Sequence, residues 1–373
     1  MKVGILTFHD AHNYGAVLQA YALRTFLRRN GYEASIVNYK NKKISSSYPK
    51  MLSYKYHMRD FIHVRSMPKM IRSLMDTNFA QKSWGIQWEK FRKFIYNVIL
   101  ENDDKYISLE DFKKLDFDAY IAGSDQIWNG WLTGGLDAAY FLDFKTTAKK
   151  IFYGASNGQG NVPENEKDYY YSCLRNADAI ATREKELADT LSILCGRHVS
   201  QVLDPTLLID AEDYVELTKI EIPENEEYLF AYFVVEDQRM MVIAEFLARV
   251  LKLKLVELHY YQLRRLKSHH QYADFGPEEF LQYIKNAKFV ITNSFHGTVF
   301  SIIFQKQFYS VYDQDSRKQT LLEKLGLEDR HVSAAGDIDL NKQIDYFTVR
   351  NKLEMARKSS TEYLLSALKG KGE

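Results

Sequence analysis

A histidine at a corner between two apolar runs is the feature of this sequence with the clearest chemical potential. The run over 289–293 breaks at Ser-Phe-His-Gly-Thr (294–298), and apolar residues then resume at helical spacing. This pattern predicts a strand, a tight turn and a helix start. In α/β sheets the carboxyl ends of strands border the ligand crevice, and the following helix directs backbone N–H groups at anions. His296 is therefore placed for acid–base chemistry or anion binding, unless it only hydrogen-bonds the loop backbone beside Gly297.

Two further polar corners follow predicted strands. Ser124 and Asp125 come after the apolar residues 118–122, where they are suited to cap a helix or to bind a hydroxyl group. Arg183 lies where a predicted strand over 177–181 turns into a helix. At that position it is suited to clamp a phosphate or carboxylate with two hydrogen bonds, or to form an ion pair within the helix.

The beginning of the chain has the same order of strand, polar loop and helix. The apolar run over 2–8 leads into a loop that contains His9, Asp10, His12 and Asn13. Apolar residues from Val17 onward then repeat with a helical period, and 33–39 forms a second strand pattern, which predicts a βαβ unit. The loop lacks the Gly-x-Gly-x-x-Gly spacing, and the chain has no Walker-type motif, so neither a nicotinamide enzyme nor a P-loop enzyme is predicted.

Alternating strand and helix patterns predict an α/β protein with two Rossmann-like lobes. The chain has 373 residues, which favours two domains over a single core. A polar linker follows Asp204-Pro205, and strand and helix patterns then begin again at residue 228. We predict lobes over 1–210 and 211–340, followed by a helical segment over 341–373 that packs back on the first lobe.

Composition and charge exclude several classes of protein. The formal net charge of +1 predicts no general attraction to nucleic acid. The two cysteines and the absence of Cys/His clusters indicate neither a disulfide framework nor a structural zinc site. No cofactor is expected. With no apolar run of membrane-spanning length, the cytoplasm is the expected location.

The segment 40–93 is strongly polarised. It holds thirteen Lys or Arg against three Asp or Glu, interleaved with aromatic residues and methionine. Such an insertion is suited to an anionic sugar carrier or to the inner face of a membrane that carries lipid-linked substrate. The alternative is a solvated helical flap whose charge is balanced elsewhere on the surface.

Taken in order, these segments resemble the polysaccharide pyruvyl transferase family, and the likeness runs from about residue 3 to about residue 330. The matching segments are Asn13-Tyr14-Gly15-Ala16, Gly123-Ser124-Asp125-Gln126-Ile127-Trp128, Arg183-Glu184, Asp204-Pro205 and Ser294-Phe295-His296-Gly297-Thr298. No single segment is specific, but five in the same order make a chance likeness improbable.

The resemblance implies an architecture similar to GT-B glycosyltransferases, with the active site in the crevice between an acceptor lobe (1–210) and a donor lobe (211–340). It implies that phosphoenolpyruvate donates a pyruvyl group to a saccharide without a metal, forming a pyruvate ketal. The late histidine of the family corresponds to His296, and its anion-binding arginine corresponds to Arg183. Relatives often have an arginine where this chain has Ser294, so Arg317 is our candidate for the missing positive charge.

The remaining site assignments follow from this placement. Proton delivery to the donor suits His296, and Asp10 is a second catalytic candidate. The donor side includes Ser294, Gly297 and Thr298 at the start of a helix. The acceptor side comprises His9, His12, Asn13, Ser124 and Asp125, although each could instead serve only to order its loop.

Three functions are therefore considered. The first is a cytoplasmic pyruvyltransferase that acts on a sugar of a surface polysaccharide or of its lipid-linked precursor. The second is a sugar-nucleotide-dependent glycosyltransferase of the same two-lobed shape. The third is a non-catalytic subunit that binds an anionic saccharide through the insertion over 40–93.

Overall fold

A computed structural model describes residues 1–46, 83–103, 105–218, 220–221, 226–235, 238–259, 270–311 and 315–369. Most of the basic insertion, residues 47–82, lies outside the described residues, so its predicted role is not addressed by the structure. None of the helices in the described ranges is long and apolar enough to cross a membrane.

The first lobe is built on a parallel sheet. In the described part of the chain this sheet has six strands in the order β2-β1-β3-β4-β5-β6. Its strands are β1 (Lys2–Leu6), β2 (Glu33–Ile36), β3 (Ala119–Ala122), β4 (Lys149–Ala155), β5 (Ala179–Thr182) and β6 (Ser200–Gln201). Strands such as β3 are buried along their whole length, as expected where helices cover both faces of a parallel sheet.

Helices connect these strands and surround the sheet. They are α1 (Tyr14–Arg29), α2 (Lys42–Ser46), α3 (83–94), α4 (Gly130–Thr133), α5 (Lys167–Leu174) and α6 (Lys185–Cys195). Asn13 caps α1 by accepting a hydrogen bond from the Ala16 N–H, and the cations Arg28 and Arg29 lie in its last turn. These local signals begin and end α1 close to the residues that the sequence predicts.

The second lobe has a second parallel sheet, also of six strands in the described ranges, in the order β12-β11-β10-β7-β8-β9. Its strands are β7 (Tyr228–Tyr232), β8 (Lys254–Leu258), β9 (His270–Tyr272), β10 (Phe289–Thr292), β11 (Gln307–Val311) and β12 (His331–Val332). The helices are α7 (Ala211–Val215), α8 (Gln238–Leu251), α9 (Pro277–Asn286), α10 (Phe295–Ile303), α11 (Ser316–Leu325) and α12 (Tyr346–Lys369). The two sheets confirm the predicted α/β fold with two Rossmann-like lobes.

Several elements differ from the sequence-based expectation. Strand β6 has two residues, whereas the sequence predicts a strand over 199–203. The sequence pattern does not predict β9, β12 or α11, because β9 and β12 are very short and the sequence of α11 is strongly polar. Short or polar elements are ordered by their neighbours rather than by their own hydrophobic periodicity.

Helix α12 lies against both lobes. Ser360 accepts a hydrogen bond from the Leu203 N–H, and Lys149 donates one to the Leu368 carbonyl, both contacts with the first lobe. Tyr346, at the other end of the helix, donates to the Lys306 carbonyl of the second lobe. The sequence analysis predicts only the contact with the first lobe.

The two lobes meet along the carboxyl ends of both sheets. In each sheet the strand order reverses once next to the first strand of the lobe, between β1 and β3 and between β7 and β10. Such switch points leave a crevice beyond the strand ends, and ligands of open α/β sheets bind there. The fold therefore brings two crevices face to face.

Candidate functional site

A cavity of about 320 Å³ lies where the two switch points meet. The first lobe lines it with residues that follow β1 and β3, among them Phe8, Asn13, Asp125 and Gln126. The second lobe lines it with residues that follow β7, β10 and β11, among them Val234, Asn293, Ser294, His296 and Arg317. Its size and its mixture of apolar and polar walls suit a small polar ligand.

The N-termini of three long helices border this cavity. The N-cap residues Asn13 of α1, Ser294 of α10 and Asp315 of α11 all contribute to its lining. The first backbone N–H groups of a helix have no partner within the helix and carry partial positive charge. This arrangement favours an anionic ligand.

His296 is held between the lobes. A Cβ atom on Gly15 of α1 would lie 1.9 Å from its Nδ1 atom, so the imidazole packs directly on the Gly15 backbone. On the other side, Nε2 is buried and lies 3.8 Å from Oδ2 of Asp204, with no hydrogen-bond partner among the described residues. Only a glycine at position 15 leaves room for the ring in this position.

Asp204 is a buried carboxylate at the base of the site. Its Oδ2 accepts hydrogen bonds from Ser124 Oγ at 3.1 Å and from Arg183 Nη1 at 2.7 Å, and Thr206 donates to its Oδ1. Burial alone would raise the pKa of Asp204, but His296 and Arg183 hold it well below its usual value. A fixed negative charge therefore faces Nε2 of His296.

Arg183, the predicted donor-binding arginine, is behind the cavity rather than in its wall. Its side chain is 2% exposed and pairs with Asp204, while its Nη2 lies 3.5 Å from Asp125. Its Nε atom is buried with no hydrogen-bond partner in the described part of the chain. Both terminal nitrogens of Arg183 therefore face carboxylates, and the side chain does not line the cavity.

Arg317, the predicted substitute cation, does line the cavity. It forms two hydrogen bonds of 2.7 Å with Asp315, and the guanidinium groups of Arg317 and Arg183 both lie over the Phe295 ring. Burial would raise the pKa of Asp315, but Arg317 lowers it to about 2. Arg317 is thus positioned by Asp315 and Phe295, and part of its charge is neutralised.

The other predicted donor-side residues mainly organise the start of α10. Ser294 lines the cavity, and its hydroxyl accepts a hydrogen bond from the Gly297 N–H. Thr298 is fully buried and donates to the Ser294 carbonyl. A Cβ on Gly297 would lie 2.4 Å from Thr292 Oγ1, so Gly297 allows close packing on β10. Neither Gly297 nor Thr298 lines the cavity.

The predicted acceptor-side residues are in two groups. Asn13 and Asp125 line the cavity, and Ser124 lies below it, bound to Asp204. His9 is buried, with its ring nitrogens beside Asn38 and the Thr7 carbonyl. Burial lowers the pKa of His9.

Asp10 and His12 are beside the cavity and do not line it. Asp10 pairs with Lys40 at 3.2 Å. His12 packs against two rings of α3, tilted against Trp88 and stacked on Phe91, and burial lowers its pKa to about 4. The structure thus separates the predicted catalytic pair: His296 reaches the cavity, and Asp10 is engaged with Lys40.

Sequence reasoning missed three contributors to the site. Asp204 and Gly15 occur in segments that carry the family resemblance, but nothing in the sequence shows that they meet His296. Glu184 is fully buried, and its side chain accepts a hydrogen bond from Ser156. Burial raises the pKa of Glu184, which the nearby Arg183 and Arg317 oppose. Within the described residues, no group of three His, Cys, Asp or Glu side chains is arranged to hold a metal ion.

Comparisons with known proteins agree with this architecture. The family model described as polysaccharide pyruvyl transferase matches residues 13–316.

The UDP-GlcNAc 2-epimerase of Neisseria meningitidis bound to UDP-GlcNAc has a similar structure, with 11% identity, a TM-score of 0.52 and coverage of 98% of this chain and 100% of that one. The UDP-GlcNAc 2-epimerase of Methanocaldococcus jannaschii has 10% identity and a TM-score of 0.50, covering 100% and 94%. At this identity they indicate a shared fold only. A comparison with curated proteins found no matching sequence.

Proposed function

This chain belongs to the polysaccharide pyruvyl transferase family, and we propose that it transfers the pyruvyl group of phosphoenolpyruvate to two hydroxyls of a saccharide. The observation that carries the proposal is the convergence of three helix N-termini, Arg317 and His296 on one cavity. Phosphoenolpyruvate bears a phosphate and a carboxylate on a small skeleton, so it needs more than one positively polarised subsite.

The donor charges would be met by backbone N–H groups and by Arg317. Ser294 occupies the N–H of Gly297, which leaves the N–H groups of Phe295 and His296 as the first-turn donors of α10 beside the cavity. Arg317 adds a guanidinium group, which could hydrogen-bond to the phosphate of the donor while it also contacts Asp315. This combination compensates for Ser294 at the position where relatives often have an arginine.

His296 is the proposed general acid and base. A saccharide hydroxyl adds to C2 of the donor, and a proton is delivered to its methylene carbon, which becomes the methyl group. Phosphate then leaves and the second hydroxyl closes the ketal, so that one hydroxyl proton ends on carbon and the other on phosphate. Asp204, 3.8 Å from Nε2, would orient the ring and stabilise its protonated form.

Thermal stability with phosphoenolpyruvate tests the donor assignment. At about a hundred times its dissociation constant, the donor should stabilise the wild type by roughly 2.7 kcal/mol. Arg317→Ala should lose most of this shift, whereas Arg350→Ala, which removes an exposed arginine on α12, should retain it. A shift with UDP-GlcNAc and none with phosphoenolpyruvate would instead favour a sugar-nucleotide-dependent enzyme.

Transfer of label tests the role of His296. Radiolabelled phosphoenolpyruvate is incubated with oligosaccharides released by mild acid from the host cell's surface polysaccharide. His296→Ala should keep the thermal shift but lower incorporation by about 10²–10⁴-fold, while His198→Ala, which changes an exposed histidine, should be unaffected. Full turnover by His296→Ala would exclude the acid–base role.

A further inference from the structure

Trp131 is an exposed tryptophan next in the chain to a residue of the cavity wall. It belongs to the short helix α4, and 78% of the residue is exposed. The next residue, Leu132, lines the cavity, as does Ile44 of α2. An exposed aromatic residue thus lies on the element that forms part of the cavity wall.

The backbone that carries Trp131 is fixed. Asn129 Oδ1 accepts hydrogen bonds from the N–H groups of Trp131 at 3.1 Å and of Leu132 at 3.3 Å. Lys43 donates to the Trp131 carbonyl, and Asn41 donates to the carbonyl of Thr133 at 3.1 Å. These bonds join α4 to α2 and to Asn41, the residue just before α2.

Lys43 also defines one side of the indole. Its ammonium group lies over the Trp131 ring, 5.4 Å from the ring centroid. The result is an exposed aromatic surface beside a hydrogen-bond donor. A tryptophan held in this way loses little conformational entropy when a ligand binds. More of the free energy of its contacts is therefore available as binding affinity.

We propose that Trp131 and Lys43 form a platform for a sugar residue of the saccharide acceptor outside the cavity, an inference that rests on the proposed function. One face of a sugar ring presents C–H groups that pack on an aromatic ring, while its hydroxyls accept hydrogen bonds from an ammonium group. The cavity receives the sugar that is modified, and the platform receives its neighbour in the chain. The enzyme thus selects an oligosaccharide over a single sugar.

Kinetics with the oligosaccharides described above test the platform. Trp131→Ala should raise the KM for oligosaccharides by roughly tenfold, the equivalent of about 1.4 kcal/mol. The KM for phosphoenolpyruvate and kcat should remain unchanged. Trp131→Phe should restore most of the affinity, because the aromatic face is retained. Phe347→Ala removes an aromatic side chain that is 76% exposed on α12, and it should have no effect.

A binding measurement separates the failure of this inference from failure of the proposed function. The oligosaccharides should bind the wild type in isothermal titration calorimetry without phosphoenolpyruvate, and their affinity should fall roughly tenfold in Trp131→Ala. If the wild type transfers no pyruvyl label, the proposed function is wrong, and the weaker binding by Trp131→Ala still supports the platform. Unchanged affinity and unchanged oligosaccharide KM in Trp131→Ala would overturn the platform whatever the donor.

Discussion

At the scale of single residues, the site depends on a contact between a glycine and a histidine from different lobes. Gly15 presents bare backbone to the imidazole of His296, and Asp204 lies on the other side of the ring. A side chain on Gly15 would occupy the position of the ring. The orientation of His296 therefore depends on the absence of a side chain at position 15 as well as on the nearby Asp204.

Gly15→Ala tests this contact. Alanine is favoured over glycine in a helix by about 1 kcal/mol, so propensity alone would stabilise α1. The new methyl group must displace His296, and a misplacement of about 1 Å is expected to lower kcat about 10²-fold. The measurement is label transfer at saturating substrates, with a thermal melt to establish that the variant is folded.

Gly85→Ala is the matched control. Gly85 also lies in a helix, α3, but among the described residues no atom outside its chain neighbours and its own helix backbone is within 4 Å of the position of its added Cβ. This variant should keep full activity. If Gly15→Ala also kept full activity, the ring would have an equally good alternative position and the packing argument would be wrong.

At the scale of elements, α12 joins the two lobes that form the crevice. Leu364 and Leu368 are buried in the main core, and Arg357 donates hydrogen bonds to the Leu207 and Ile209 carbonyls in the linker between the lobes. The helix thus fixes the segment that connects the two sheets. Its packing affects the site indirectly, through the relative position of the lobes.

Leu364→Ala tests the packing of α12. The side chain is fully buried, so its truncation should lower the free energy of unfolding by about 2–4 kcal/mol. Met355→Ala, on the exposed side of the same helix with 75% of the residue accessible, should change it by less than about 0.5 kcal/mol. Urea denaturation of both variants provides the comparison, and equal effects would contradict the observed orientation of the helix.

At the scale of the whole molecule, contacts across the lobes hold the crevice together. Tyr14 donates a hydrogen bond of 2.8 Å to the Phe275 carbonyl, and Lys90 of α3 pairs with Glu279 of α9 at 2.6 Å. His12 stacks on α3 within the same region. Folding of both lobes and formation of the site are therefore linked.

The free energy of unfolding should depend on pH because His12 is buried in the folded protein. Burial lowers its pKa in the folded state to about 4, whereas the unfolded chain has the ordinary value of about 6.5. Between these two values the unfolded state binds the extra proton, so the free energy of unfolding falls as pH falls. The stability is fully present above about pH 6.5, and up to roughly 3 kcal/mol is lost by about pH 4.

His12→Phe isolates this contribution. Phenylalanine can still pack against Trp88 and Phe91 but cannot bind a proton. Urea unfolding at about pH 7 and about pH 5 should therefore show a smaller loss of stability than in the wild type. His198→Ala should keep the wild-type dependence, since His198 is exposed. Identical pH dependence in His12→Phe and the wild type would assign the effect to other groups.

Hydrophobic periodicity in the sequence determined the alternation of strands and helices, and it placed polar corners at the ends of β1, β3 and β10. Local signals sufficed there, because a buried strand and an amphipathic helix are recognisable from their own residues. His296 and Arg317 both line the cavity, and their roles stay predictions.

Only the tertiary structure decided which corner residues reach the cavity. It placed Arg183 behind the cavity on Asp204, Asp10 beside Lys40, and Trp131 exposed next to Leu132 of the cavity wall. Such placement depends on how segments of the first lobe that are far apart in the sequence pack together. Burial and pairing of charges are properties of that packing, so no local pattern of residues could have supplied them.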